Sequence, residues 1–294
     1  MSTGLIAGLF PGQGSQTADL RDEVERVAPE LLERCVALVG EDPFPRVAQS
    51  TRFAQPAILC ASIASWIRLR AHVRPVAVAG HSLGELSALA AADVLDPQAA
   101  LELAVLRGEL MAAAASGTTG GMLAVLGGAE EQTRELAEEH ELVVANDNAP
   151  GQIVLAGDLE PLRAASLQAR ERGMRAIFLD VAGAFHTPAM RGAVERFRSA
   201  LDAAELRPPA IPVISSSTAR PFRDVPAELA AAIVKPVRWR ETMLALAGLG
   251  ANAFIDVGPG QVLSRLVPRN LPDALVLDLA DVPLSTPREA RSVA

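Results

Sequence analysis

Ser82 stands between Gly80 and Gly84 in Val78-Ala79-Gly80-His81-Ser82-Leu83-Gly84-Glu85, a spacing that can turn a serine oxygen on a carbonyl carbon. A β-branched and small apolar run ends at Gly80 and an Ala- and Leu-rich helical run begins at Glu85, so strand must reverse into helix within about four residues. Glycines on both sides let the two elements cross closely and push the serine oxygen outward. The N–H groups opening the helix then face the place where an attacked carbonyl gathers negative charge. Chance Gly-x-Ser-x-Gly matches are common, and the strand-turn-helix setting is what favours a nucleophile.

A serine nucleophile needs a base, and the chain offers four histidines. His72 and His140 sit among charged or helix-end residues, and His81, next to the serine on a tight turn, is poorly placed to take its proton. His186 is the general base by elimination, the alternative being a capping or buried histidine. Arg107 lies in the apolar helical stretch Leu106-Arg107-Gly108-Glu109-Leu110-Met111. Its nearest acids, Glu102 and Glu109, are not at the three or four spacing that pairs side chains along a helix, which leaves either a solvated arginine or one aimed at a ligand. Its planar guanidinium fork suits a carboxylate.

The loop Pro11-Gly12-Gln13-Gly14-Ser15-Gln16 follows a short apolar strand. It lacks the Lys-Ser/Thr of a phosphate-binding loop and the third glycine of a dinucleotide fingerprint, so a nucleotide site is rejected. Such a loop can still bring a backbone N–H against a reacting carbonyl. Cys35 and Cys60 are isolated in apolar runs without metal spacing and read as buried thiols; no metal site is expected.

Elements that could position these groups follow from length and pattern. With 294 residues, half of them apolar, the chain can bury one large core with room for an inserted subdomain. A net charge of −8, 3% aromatics and no tyrosine argue against a nucleic-acid surface. The N-terminus has no basic stretch leading into a long apolar one, and no apolar run reaches about 18 residues, so the expectation is a cytoplasmic protein without membrane contact. Helical periodicity covers residues 20–76 with a break near 40–45, and a further helix covers 98–115. After the Gly-rich linker 116–121 come strand 122–126, helix 130–140, strand 142–145, strand 152–156, helix 159–172 and strand 176–181. That β-α-β-β-α-β order is the split βαβ arrangement of a ferredoxin-like subdomain. Inserted at about 121–185, it would leave a cleft beside Ser82. The larger domain, 1–120 and 186–294, resumes with helix 190–204, strand 211–216, helix 225–234, helix 240–249 and strand 253–257. The last strand runs into Gly258-Pro259-Gly260, and beyond Pro272 the chain thins out, with the final ten or so residues expected to be loose.

Eight motifs in order resemble the malonyl-CoA:acyl carrier protein transacylases and related acyltransferases of polyketide synthesis. They are Phe10 to Gln16, Gln55-Pro56-Ala57, Gly80 to Glu85, Arg107 to Met111, Asn146 to Gly157, Gly183 to Thr187, Pro236-Val237-Arg238-Trp239 and Val257 to Gly260. The resemblance implies an α/β fold: an α/β-hydrolase-like large domain with a parallel sheet and nucleophile elbow, plus the inserted ferredoxin-like subdomain. It implies ping-pong transfer of malonyl from malonyl-CoA through Ser82, with His186 as base, to the phosphopantetheine thiol of an acyl carrier protein. By similarity, the backbone N–H groups of Gln13 and Leu83 form the oxyanion hole, Arg107 holds the malonyl carboxylate, and Phe185 fills the space a 2-methyl group would need. No resident cofactor is implied, and a monomer is expected.

In this family backbone carbonyls near the turn before the Gly-Pro-Gly strand orient the histidine; the glutamine often found there is Leu249 by spacing. Asp180 is a weak candidate for a third triad member. Ser216 and Lys235 replace residues that are often asparagine. Acidic carrier proteins would seek local positive charge, which Arg163, Arg170, Arg172 and Arg175 supply near the second subdomain helix, with Arg265 and Arg269 on the other lobe. Two rivals stay open: a thioester hydrolase on the same fold, disfavoured by Arg107, and a non-catalytic docking module, disfavoured by Ser82 with His186.

Overall fold

The computed structural model describes residues 5–117, 119–181 and 183–281. Strand β1 (Ile6–Phe10) is followed by helices α1 (Leu20–Val27), α2 (Pro29–Val39) and α3 (Thr51–Leu69). Pro29 opens α2 and Gly40 closes it in the left-handed conformation, which accounts for the break read in the sequence. Ser50 caps α3 by accepting the Arg52 N–H. Strand β2 (Ala77–Gly80) leads through the Ser82 turn into α4 (Gly84–Ala91), and α5 (Pro97–Ala115), capped by Asp96, follows.

The next unit runs β3 (Gly120–Leu126), α6 (Glu130–Glu139), β4 (Val143–Ala149), β5 (Gln152–Asp158), α7 (Leu159–Glu171) and β6 (Arg175–Phe178). The remainder comprises α8 (Arg191–Ala203), β7 (Val213–Ser215), β8 (Arg220–Pro221), α9 (Val225–Ala232), α10 (Trp239–Gly248), β9 (Ala253–Asp256), α11 (Val267–Asn270) and β10 (Leu275–Leu277).

The strands form two sheets. One has the order β10-β9-β1-β2-β7-β8 and is parallel except for β8. The other, β4-β5-β3-β6, is antiparallel throughout. The mixed α/β architecture expected from sequence is therefore present. Side chains alternate across the parallel sheet: Phe10 and Val78 join the cluster under α1 to α5, while Ala7, Leu9, Ala77 and Ala79 join Trp239, Met243 and Leu246 of α10 on the other face. Both faces are thus covered, as β1 and β2, apolar throughout, require.

Three readings of the chain are corrected. Residues 275–277, read as thinning sequence, add an edge strand parallel to β9. Strand β4 runs on to Ala149 through two register shifts, because its polar end pairs with the large unit: Asn146 bridges Val237, and the Asp147 N–H donates to the Val237 carbonyl at 2.8 Å. Strand β6 stops at Phe178, where the chain turns back on itself through a bond from the Val181 N–H to the Leu179 carbonyl. The final residues lie outside those described. Among the described residues no helix is long and apolar enough to cross a membrane.

Among the described glycines, those of the turn between β2 and α4 mark the closest backbone crossing. A Cβ on Gly80 would lie 1.9 Å from the Gly84 carbonyl carbon, and one on Gly84 would lie 2.0 Å from the Phe10 oxygen. Neither neighbour can yield without shifting backbone. Gly84→Ala should lower unfolding stability by at least about 1–3 kcal/mol, read as a lower denaturant midpoint; an unchanged midpoint would contradict this packing.

Candidate active site

The crossing fixes the nucleophile. The His81 N–H donates to the Phe10 carbonyl at 2.9 Å and the Gly84 N–H to the His81 carbonyl at 3.0 Å, which forces Ser82 to φ 54°. A non-glycine residue there is strained, and the strain aims its Oγ off the end of the sheet. Oγ lies 2.8 Å from His186 Nε2. His186, also at positive φ (61°), arrives on the segment that returns from the antiparallel unit.

His186 Nδ1 donates to two carbonyl oxygens, Ala232 at 2.9 Å and Lys235 at 3.1 Å. Carbonyls only accept, so the ring proton sits on Nδ1 and Nε2 is left to receive the serine proton. Burial, then the nearby Arg107 charge, holds His186 down to about 3, so it is a neutral base across the ordinary pH range. The orienting carbonyls belong to the end of α9 and the turn after it. Leu249, which stands by spacing where a glutamine is often found, is exposed at the end of α10 and makes no bond to His186 among the described residues. Asp180 lies exposed on the cleft rim and is not bonded to His186. The two departures at Ser216 and Lys235 now have a reason to be tolerated. Each works through backbone, Ser216 by its N–H to Glu85 Oε1 at 2.7 Å and Lys235 by its carbonyl.

Arg107 is neither solvated nor paired along its helix. It is 4% exposed, its Nη2 donates to Ser82 Oγ at 3.1 Å and its Nη1 to Gln55 Oε1 at 2.9 Å. Burial lowers it to about 10, partly offset by the Glu85 charge, and it remains a cation at neutral pH. Glu85 is itself pushed up to about 7, chiefly by burial. A buried guanidinium beside a nucleophile, without a bonded carboxylate, is a seat for an anionic group.

The glycine loop lies directly over the elbow. A Cβ on Gly12 would stand 2.6 Å from the His81 oxygen and 3.8 Å from the Leu83 nitrogen. The loop thus runs against the Leu83 end of the elbow, and among the described residues neither the Gln13 nor the Leu83 N–H donates to a protein acceptor. Phe185, 6% exposed, forms part of the wall beside His186. A cleft of about 500 Å³ opens here, lined by Gln13, Thr51 and His81 on one side and by Ala124, Asn146 and Val154 of the antiparallel unit on the other.

Several residues of the site carried no assignment from sequence. His81 donates through Nε2 to Asn148 Oδ1 at 2.9 Å and packs on the Trp239 ring, which removes it as a rival base. Asn146 Oδ1 is buried in the cleft wall without a partner among the described residues. Gln55 and Thr51 are polar residues four apart on α3, both buried among its apolar positions, a spacing that could have flagged them. Of the expected docking arginines, Arg172 is held by Glu139 at 2.6 Å and Arg269 by Gln152 and two backbone carbonyls. Arg163, Arg170 and Arg175 are exposed.

With this geometry in hand, the comparisons agree on one class. The acyl transferase domain family matches residues 9–282, and the chain belongs to it. It is 37% identical to a malonyl CoA-acyl carrier protein transacylase of Bacillus subtilis (strain 168) over 282 residues, 89% of each chain. It is also 37% identical to a polyketide biosynthesis malonyl CoA-acyl carrier protein transacylase of the same organism over 287 residues, 92% of this chain and 98% of that one. The crystal structure of a malonyl-CoA:acyl carrier protein transacylase from Xanthomonas oryzae pv. oryzae superposes with a TM-score of 0.88 at 35% identity, covering 96% of both chains.

The base predicts its own pH profile. Protonating His186 removes the acceptor for the serine proton, so reactivity falls only as pH drops toward its pKa. Labelling of Ser82 by a fluorophosphonate should stay level from pH 7 down to about 4, well below the usual histidine value of about 6.5. Removing Arg107 deletes the second cause of the lowered value, so in Arg107→Ala the acid limb should move to higher pH. An acid limb that stays put would mean that the Arg107 charge does not reach the imidazole.

Proposed function

We propose that this acyltransferase moves a malonyl group from malonyl-CoA to the phosphopantetheine thiol of an acyl carrier protein through an acyl-Ser82 intermediate. The observation that carries the reading is Arg107, a buried cation 3.1 Å from the Ser82 oxygen. Ser82 Oγ attacks the thioester carbonyl while its proton passes to His186 Nε2. The oxyanion receives the N–H groups of Gln13 and Leu83, worth on the order of 10²-fold in rate or more per donor. The coenzyme A thiolate leaves with the proton from His186. The carrier thiol then gives its proton to His186 and attacks the malonyl ester, and the departing Ser82 Oγ takes that proton back from Nε2. Through both halves the free carboxylate lies on Arg107.

The reading requires no resident cofactor or metal: coenzyme A enters as part of the substrate, and phosphopantetheine arrives on the partner. The unpartnered Asn146 Oδ1 suits an amide N–H of that arm. Phe185 beside the base restricts a 2-methyl group, a discrimination of about 1–3 kcal/mol. The division into a hydrolase-like domain (1–120 and 186–294) and a ferredoxin-like insert (121–185) belongs to the same reading. It is supported by the β-α-β-β-α-β order and the antiparallel sheet. A cytoplasmic monomer is likewise part of it.

Arg107→Ala decides the substrate. It leaves the malonyl carboxylate unpaired in a partly desolvated cleft, at a cost of about 2–5 kcal/mol, while acetyl transfer has no such group to lose. Malonyl labelling of Ser82 should drop well over tenfold, and acetyl labelling should rise relative to it; equal slowing of both would remove the malonyl assignment. The carrier surface has its own test. Charge reversal at the exposed Arg163 and Arg170 of α7 should raise the carrier KM with self-acylation intact, and the effect should shrink in high salt. If KM does not move, the dock lies elsewhere.

A further inference from the structure

We propose that Thr51 is a positioning residue that aligns Arg107 with the oxyanion loop, so that both ends of a malonyl thioester are received by one hydrogen-bonded unit. This rests on the malonyl reading above.

Thr51 opens α3 directly after its cap and is 5% exposed. Its hydroxyl donates to Gln13 Oε1 and accepts from Gln55 Nε2 at 2.8 Å. The Gln55 amide also faces Met111 Sδ at 3.4 Å, and its Oε1 takes Arg107 Nη1 at 2.9 Å. Arg107 Nη2 then reaches Ser82 Oγ. A continuous path therefore runs from the glycine loop through α3 and α5 to the elbow.

The polarity of the path starts at Arg107, whose guanidinium only donates, and Thr51 carries it on to Gln13. The Gln55 carbonyl takes the guanidinium, so its NH₂ faces Thr51 and Met111. A hydroxyl has one proton; given to Gln13, it leaves only lone pairs for Gln55. Without the hydroxyl the Gln55 NH₂ keeps only the weak Met111 sulfur as an acceptor, so the amide is held at one end alone and Arg107 is loosened. The same loss frees the Gln13 side chain, and with it the backbone N–H that faces the reacting carbonyl. The two arms differ in what they report: the Gln55 arm affects only substrates with a carboxylate, whereas the Gln13 arm affects every acyl group.

The test compares self-acylation of Thr51→Val and Thr51→Ser from malonyl-CoA and from acetyl-CoA, with rates referred to the titrated active fraction. Thr51→Val should lower malonyl kcat/KM on the order of tenfold and acetyl kcat/KM less, so the malonyl-to-acetyl ratio falls about fivefold. Thr51→Ser, which keeps the hydroxyl, should restore the ratio to within about twofold of the parent. Adding Thr51→Val to Arg107→Ala should not lower the ratio again, because that arm already ends at the missing guanidinium. The proposal is overturned if Thr51→Val slows both substrates equally or if serine behaves as valine does. Should the valine variant not fold, the ratio in Thr51→Ala decides in the same way. Arg107→Ala alone separates the two claims: an unchanged ratio there removes the malonyl reading, whereas a fallen ratio there with an unchanged one in Thr51→Val removes only the role of Thr51.

Discussion

Gly84 has no room for a methyl group, because the Phe10 carbonyl oxygen stands where its Cβ would be. The rest of the site depends on that contact. It draws the start of α4 across the ends of β1 and β2, so the chain between must climb over itself and Ser82 is driven to positive φ. Such a conformation costs about 1–3 kcal/mol and persists only where its surroundings over-determine it. Here they do: all four residues of β2 are buried, β1 and β2 pair in register from Ala7 with Ala77 to Phe10 with Gly80, and the His81 N–H continues that ladder to Phe10. The glycine loop leaves β1 from that same residue, Phe10. One close contact therefore sets the nucleophile, the helix start and the loop over it together.

The electrostatic arrangement follows from what the base must not have. A carboxylate on His186 would raise its proton affinity and would offer Arg107 a permanent partner only a few ångströms from Ser82. Two carbonyls fix the tautomer without either effect. Glu85, the acid that does act on Arg107, is turned away and tied to the Ser216 N–H and the Ser215 hydroxyl. Its proton affinity is already raised by burial, so it is a weak counterion. Arg107 is thereby kept charged without a bonded carboxylate, and His186 is kept neutral beside it.

What the sequence revealed depended on how locally each feature is encoded. The elbow was legible because its glycines, its serine and its strand-to-helix change fall within a few residues. His186 was legible by elimination, and Arg107 because no acid lay within helical reach. Which carbonyls orient His186 was not: backbone atoms leave no trace in side-chain identity, and those of Ala232 and Lys235 do the work. The pairing of Arg172 was hidden because Glu139 is 33 residues away. Strand β10, three residues long, gave too short a pattern to count. Resemblance named the Gln55 motif, but its function is set by contacts 52 to 56 residues apart.

The polar end of β4 shows the same limit from the other side. Asn146-Asp147-Asn148 carries no strand signal, yet each residue ties the antiparallel unit to the parallel one. Asn146 bridges Val237, and Asn148 binds His81 and, through its carbonyl, Asn270. Arg240 of α10 reaches both Asp147 and Glu130. Burial raises the Asp147 proton affinity even with Arg240 and Arg134 close by, so this half-open cluster lends geometry more than energy. Geometry is what a two-walled cleft needs. The strand that supplies one wall is stitched to the histidine next to the nucleophile, so the distance across the cleft is set by the bonds that hold Ser82 in place.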